Sequence, residues 1–226
     1  MSKVIVFDVN ETLLDVSALE PDFHRVFRDG RVAREWFTQL LQYSMASTLA
    51  GTYFDFTTIA GAVLEMTAAS RGMPLSNRDK HQIIKGLLSL PPYPDVTQSL
   101  ERLKHAGFRL ATLTNSAQQA VCQQIENAGL SAYFESNLSV DAVRRYKPAP
   151  EVYRMAAEKL AVSTGELRLV APHAWDEMGA MQAGCTAAFV ARLGKVFYPL
   201  APEPDIVGPD LRCVADEILK KEHDRS

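Results

Sequence analysis

The stretch KVIVFDVNETLLD, Lys3 to Asp15, decides how the rest of the chain is read. A short, unbroken apolar run stops at an aspartate and passes into a polar turn. Runs of this kind, bounded by turn residues, mark strands buried on both faces. Asp8 then stands at the carboxyl end of such a strand. Open parallel sheets bind ligands in the crevice beyond those ends. An aspartate placed there can act as a nucleophile or hold a metal, or it can simply cap the following turn. Thr12, four residues on, can hydrogen-bond the Asp8 carboxylate and hold its rotamer.

Further runs of the same type occupy 108–113, 167–171, 186–190 and 205–208. Helical periods lie between them. The period 117–128 follows Thr114-Asn115-Ser116 and stops before Gly129, so both ends carry cap residues. Others span 150–160, 175–183 and 210–221, the last entered through Pro209. Alternation of strand and helix predicts an α/β fold, a parallel sheet with helices on both faces. The span from Val16 to Pro92 breaks that alternation. It shows helical periods at 32–49, 57–71 and 76–88 and no clear strand. Leu90-Pro91-Pro92-Tyr93-Pro94 is a stiff connector out of it. The expected organisation is a core of residues 1–15 and 93–226, interrupted by a helical insert at 16–92.

The 226 residues carry a net charge of −3 and no basic block or stripe, so nucleic acid is not expected as a partner. No apolar run approaches the ~20 residues of a transmembrane helix, and no membrane association is expected. The chain enters its first strand without a leader-like segment. Cys122, Cys185 and Cys213 are an odd set without metal-ligand spacing. They read as buried thiols of a reducing compartment, and a cytoplasmic location is expected.

Three later segments also run off strand ends. Thr114-Asn115-Ser116 closes the second core strand and opens a helix, where amides and hydroxyls can bind an anion. All three are also ordinary N-caps. Lys147 lies beside Pro148 before a helix and can present a point charge to a carboxylate, although taken alone it reads as a solvated lysine. Val170-Ala171-Pro172-His173-Ala174-Trp175-Asp176 passes from strand to helix. There Asp176 can cap the helix, and His173 can be a structural or surface histidine. Asp8, Thr114 with Asn115, Lys147 and Asp176 nevertheless all fall beside expected strand ends. One site explains that coincidence more economically than four separate caps.

FDVNETLLD, LATLTNS, RYKPAPEVY and LVAPHAWDEMGA resemble the four ordered motifs of the haloacid dehalogenase superfamily, over essentially the whole chain. The NET triplet, the YKP with a tyrosine six residues after its lysine, and AWD resemble the L-2-haloacid dehalogenase branch. That resemblance implies a Rossmann-like core with the helical insert as a cap domain. It implies Asp8 as nucleophile, Thr12 as its orienting hydroxyl and Lys147 as the charge that keeps it ionised. Asp176 would hold Lys147 and position or deprotonate the hydrolytic water, and Tyr153 would pack and hydrogen-bond nearby. Thr114, Asn115 and the amides of Val9 and Asn10 would hold the substrate carboxylate. The implied substrate is a small 2-haloacid. No cofactor is implied, and a homodimer is the implied assembly.

The chain departs from that pattern in the cap and in motif four. The cap arginine that receives the halide falls on Phe37, with Arg34 one turn earlier able to reach the same space. A serine and an asparagine of motif four are here Ala171 and His173. His173 can serve as a hydrogen-bond partner or act on the water. Asn10 bears most directly on the chemistry. Phosphatases of the superfamily carry an acid two residues after the nucleophile, because an alkoxide must be protonated as it leaves. Asn10 has no such proton to give, and a halide needs none. A phosphatase acting on a small phosphate ester with Mg2+, and a catalytically weak member, stand as alternatives.

Overall fold

Val4–Phe7 have no exposed surface and form β1, an interior strand of a computed structural model that describes residues 4–223. Lys3, expected to begin that strand, lies outside the described residues. Around β1 stand β2 (Arg109–Thr114), β3 (Ser136–Ser139), β4 (Leu167–Ala171), β5 (Thr186–Val190) and β6 (Ile206–Gly208). All neighbours pair in parallel, in the order β3-β2-β1-β4-β5-β6. The order changes direction between β1 and β4, where a crevice opens beyond the carboxyl ends. Phe7 is in register with Val170 of β4, and the Asp8 amide donates to the Val170 carbonyl at 3.1 Å. Asp8 therefore stands at the mouth of that crevice.

Between β1 and β2 come α1 (Glu20–Phe27), α2 (Val32–Leu49), α3 (Phe56–Ser70), α4 (Asn77–Gly86) and α5 (Val96–His105). The later helices are α6 (Gln118–Asn127), α7 (Pro150–Lys159), α8 (Ala174–Gln182) and α9 (Leu211–His223). Asp55 accepts the Thr58 amide at 3.0 Å and Ser76 accepts the Asp79 amide at 3.1 Å, which fixes where α3 and α4 start. Three elements lie outside the expected set. β3 reads Ser-Asn-Leu-Ser, too polar to show as a buried strand, and its place comes from pairing with β2. α5 buries Val96, Leu100 and Leu103 on one face. α1 is short, and its Phe23 and Phe27 rings stack at 5.6 Å.

The helices of 16–92 pack on one another around Trp36, and their buried residues are continuous with the core of the sheet. Trp36 is fully buried, donates Nε1 to the Ala60 carbonyl at 3.1 Å, and lies 5.2 Å from the Phe23 ring. Phe37 and Phe56 meet edge to face at 6.5 Å. Full burial of a ring such as Phe37 stabilises by about 1.5–3 kcal/mol.

The chain crosses between these helices and the sheet twice, side by side. The Asp15 amide donates to the Pro91 carbonyl at 2.9 Å, and the Tyr93 amide to the Leu13 carbonyl at 2.9 Å. Leu14 and Pro92 form an antiparallel bridge. Arg192 clamps the crossing. It binds the Thr12 carbonyl through Nη2 at 2.7 Å, pairs with Asp95 at 3.1 Å, and lies 3.8 Å over the Tyr93 ring. A second contact lies away from it, where the Tyr53 hydroxyl donates to Asp141 and the Tyr146 hydroxyl donates to the Phe54 carbonyl at 2.7 Å.

All three cysteines are free thiols. Only Cys185 is buried; Cys122 is exposed and Cys213 half-buried, which corrects the expectation of three buried thiols. α6 turns Val121, Gln124 and Ile125 inward, leaving Cys122 outward. Among the described residues, no helix is long and apolar enough to cross a membrane.

Candidate active site

The turn after β1 is built on Val9, whose side chain is fully buried. Its carbonyl accepts the amides of Thr12, Leu13 and Leu14 at 3.3, 2.8 and 3.0 Å. The turn brings Thr12 Oγ1 to 2.6 Å from Asp8 Oδ2 as a donor. Within it Glu11 adopts a φ of 65°, in the left-handed region. That conformation is uncommon for a residue other than glycine, costs about 1–3 kcal/mol, and clusters at functional sites.

Lys147 reaches Asp8 from the other side. Its Nζ lies 3.1 Å from Asp8 Oδ1 and 2.7 Å from Asp176 Oδ2. Neither Lys147 nor Asp176 has exposed side-chain surface. Tyr153, also fully buried, donates its hydroxyl to Asp176 Oδ1 at 2.6 Å. Asp176 lies in the first turn of α8 but does not cap it; the N-cap position is His173, and the Asp176 side chain is spent on Lys147 and Tyr153. α8 can approach the Lys147-Pro148 segment because residue 179 is glycine. A Cβ there would come 2.5 Å from Pro148 Cβ and 2.8 Å from the Tyr153 hydroxyl.

The electrostatics separate the two acids. Burial alone would raise the Asp8 pKa, but the Lys147 charge and bonds from His173 and Thr12 outweigh it and hold Asp8 far below the usual carboxylate range. Burial pushes Asp176 up, and the neighbouring Asp8 charge adds to that, against the pull of Lys147 and Tyr153. Burial lowers Lys147, yet Asp176 and Asp8 reverse it and the net direction is up. Asp8 is thus the permanent anion and Asp176 the better base.

The second motif lies beside them. Asn115 Oδ1 accepts the Lys147 amide at 3.2 Å, so Asn115 orients the lysine's backbone. Thr114 Oγ1 accepts the Ser116 amide at 3.1 Å, which leaves the Thr114 hydroxyl proton to donate elsewhere. These residues do not open the helix as N-caps. α6 starts at Gln118, and its first amide is taken by Asp141 Oδ2 at 2.7 Å. Asn10 is fixed at both ends of its amide, donating to Ser116 Oγ at 3.2 Å and accepting from Gln124 Nε2 at 3.0 Å.

His173 completes the ring around the nucleophile, with Nδ1 3.5 Å from Asp8 Oδ2. Its Nε2 lies 2.8 Å from Glu11 Oε2, which Lys195 Nζ also binds at 2.6 Å. Sequence reasoning missed Glu11 and Lys195. Glu11 sits inside the first motif but reads there as a turn residue, and Lys195 lies 184 positions away in a loop without a motif. Phe37 and Arg34 are not bonded to Asp8. They line a cavity of about 440 Å3 together with Glu11, Arg192 and Lys195. Phe37 is buried at its wall and Arg34 is exposed, its guanidinium lying against Gly194. Among the described residues, no group of three or more His, Cys, Asp or Glu side chains is placed to hold a metal ion.

A family model of haloacid dehalogenase-like hydrolases matches residues 2–170. The chain is similar to an (S)-2-haloacid dehalogenase of Pseudomonas sp. (strain YL), 31% identical over 216 residues, which span 95% of this chain and 93% of that one. It is 29% identical to haloacetate dehalogenase H-2 of Moraxella sp. (strain B), over 94% of this chain and 96% of the relative. The fold superposes with a TM-score of 0.91 on the L-2-haloacid dehalogenase from Xanthobacter autotrophicus with chloropropionic acid covalently bound. That pair is 28% identical, with 96% of this chain and 98% of the other covered.

Proposed function

Because the chain belongs to the haloacid dehalogenase-like hydrolases and, within them, to the (S)-2-haloacid dehalogenases, we propose that it hydrolyses small 2-haloalkanoic acids to 2-hydroxy acids and halide. The similarities do not favour the phosphatase alternative. One observation carries the reading. Asp8 is a buried carboxylate kept ionised by Lys147 at 3.1 Å, and the residue two places on is an amide locked to Ser116 and Gln124. At the position two after the nucleophile, where a phosphatase carries its acid, the site holds an amide that cannot protonate a basic leaving group.

Oδ1 of Asp8, with Lys147 as its one close donor, attacks C2 opposite the halogen. The halide leaves with the bonding pair, and an ester to Asp8 forms with inversion. The ester divides one hard displacement into two easier steps. Water then adds to the Asp8 carboxyl carbon, and the bond from that carbon to Oδ1 breaks. Asp176 takes the proton that water loses, and Lys147, which touches both Asp176 and Oδ1, returns one to the departing oxygen. The original Asp8 oxygen leaves in the product, and the water oxygen remains in Asp8. The Thr114 hydroxyl, Asn115 Nδ2 and the Val9 and Asn10 amides hold the substrate carboxylate. Residues 16–92 act as the cap, and Phe37 and Arg34 border the path of the halide. The substrate is a small molecule, no cofactor takes part, and the enzyme works in the cytoplasm as a homodimer.

The test is chloride release from L-2-chloropropionate in excess EDTA, followed by turnover in heavy-oxygen water and mass spectrometry of the Asp8 peptide. Label in Asp8 is the expected result. Chloride release without label in Asp8, or no release, overturns the reading.

A further inference from the structure

Glu11, His173 and Lys195 have no part in the steps above, yet they form a charged chain that ends on the nucleophile. Lys195 Nζ bonds Glu11 Oε2 at 2.6 Å and stands 3.4 Å from His173 Nε2. The same Glu11 oxygen lies 2.8 Å from that Nε2. On the far side of the ring, the buried Nδ1 has no hydrogen-bond partner and faces Asp8 Oδ2 at 3.5 Å. The Trp175 ring lies 5.0 Å from the imidazole and fixes its plane. A second, independent feature is the left-handed backbone of Glu11, a strained conformation that turns up where function demands it.

We propose that His173 acts as an imidazolium whose Nδ1 donates to Asp8 Oδ2, and that Glu11 and Lys195 are positioning residues that set its charge and orientation. The proposal rests on the ester mechanism above. Once Oδ1 carries the substrate, Oδ2 is the ester carbonyl oxygen, and negative charge collects on it as water adds to the carboxyl carbon. Thr12 Oγ1, 2.6 Å away, and His173 Nδ1 then supply two donors to that oxygen. Donors placed where charge develops are a large part of catalysis of acyl transfer. When the adduct collapses, the carbon–Oδ1 bond breaks, Oδ1 leaves as the product hydroxyl, and His173 still holds its proton. An imidazolium cannot accept a proton from water, so this role excludes His173 as the general base.

Four charged groups face the imidazole or its partner. Asp8 and Glu11 favour its cationic form; Lys195 and, through Asp8, Lys147 oppose it. Burial pulls the His173 pKa down, but the bonds to Asp8 and Glu11 outweigh it and the net direction is up. Glu11 is held low despite its burial, by His173 and Lys195. Each ionised partner thus keeps the next one ionised.

The test follows the Asp8 ester by rapid quench and mass spectrometry, with L-2-chloropropionate, from mildly acidic to alkaline pH. Ester breakdown should slow as pH rises through the His173 titration. His173→Gln should slow breakdown about hundredfold, with less effect on ester formation, and abolish that pH limb. Glu11→Gln should move the limb to lower pH, and Lys195→Met, a change at a partly exposed position, should move it to higher pH. A structural role alone would not shift the limb in opposite directions. Breakdown that accelerates with pH, a limb unmoved by both variants, or parental breakdown in His173→Gln overturns the proposal. Absence of any ester on Asp8 in the parent overturns the ester mechanism itself, and this inference with it.

Discussion

Lys147 Nζ and Asp176 Oδ2 stand 2.7 Å apart with no exposed side-chain surface on either residue. The same ammonium is 3.1 Å from Asp8. Two buried carboxylates therefore share one cation. Removing one partner of a buried ion pair leaves an uncompensated charge and costs about 3–5 kcal/mol. Lys147→Met should lower stability on that order and abolish chloride release. Urea unfolding checks the first effect, through a fall in midpoint at unchanged slope. A midpoint equal to that of the parent would count against the shared cation.

Asp8→Asn removes the nucleophile while keeping its shape. An amide is a far weaker nucleophile than a carboxylate, so halide release should vanish. The fold should persist, because Lys147 keeps Asp176 as its counter-charge. Halide release together with circular dichroism checks both. Parental activity in this variant would refute the assignment.

Gly179→Ala places a methyl 2.5 Å from Pro148 Cβ and 2.7 Å from the Pro148 carbonyl oxygen. Overpacking of this kind costs about 1–3 kcal/mol. It should also push α8 away from Lys147 and separate Asp176 from its partners. Thermal unfolding and kcat should fall together, and a variant as active and stable as the parent would show that the contact relaxes freely.

Glu177 is fully buried, and both its carboxylate oxygens lack hydrogen-bond partners. Burial, with the charges of Asp176 and Asp205, pushes its pKa from 4.5 to about 9. The folded state therefore holds its proton more tightly than the unfolded chain does. The stability this contributes is complete below 4.5 and is lost as pH rises towards about 9. Glu177→Gln, which cannot ionise, should flatten that decline and make the protein more stable than the parent at pH near 8, by a few kcal/mol or roughly that order. Urea midpoints across the range check it; parallel curves for the two proteins would refute it.

Much of this architecture was legible in the residues themselves. Apolar runs such as 167–171 and 186–190 coincide with β4 and β5, because strands buried on both faces leave an unbroken apolar signature. α2 coincides with the period 32–49 for the matching reason in helices. β3 was not legible, since Ser136, Asn137 and Ser139 owe their place to a neighbour rather than to their own hydrophobicity. Among the candidate site residues, the structure brings Asp8, Thr12, Lys147, Tyr153 and Asp176 into one hydrogen-bonded group, with His173 Nδ1 facing Asp8 at 3.5 Å. Each of them lies in one of the four motifs, although Lys147 stands eight residues past β3 and Tyr153 inside α7. Lys195 does not, and its contact with Glu11 exists only once the two ends of the sequence have come together. Local pattern carries no trace of such a pairing.

The antiparallel bridge between Leu14 and Pro92 has a consequence for how the molecule assembles. A connection between β1 and β2 would ordinarily be charged the loop-closure entropy of the whole intervening chain. Here the ends of that long excursion are already tied side by side, so once the tie forms the sheet meets a short link in its place. Swapping the interior of the excursion for another compact unit with equally close ends would leave the neighbouring strands, and the aspartate at their edge, in register.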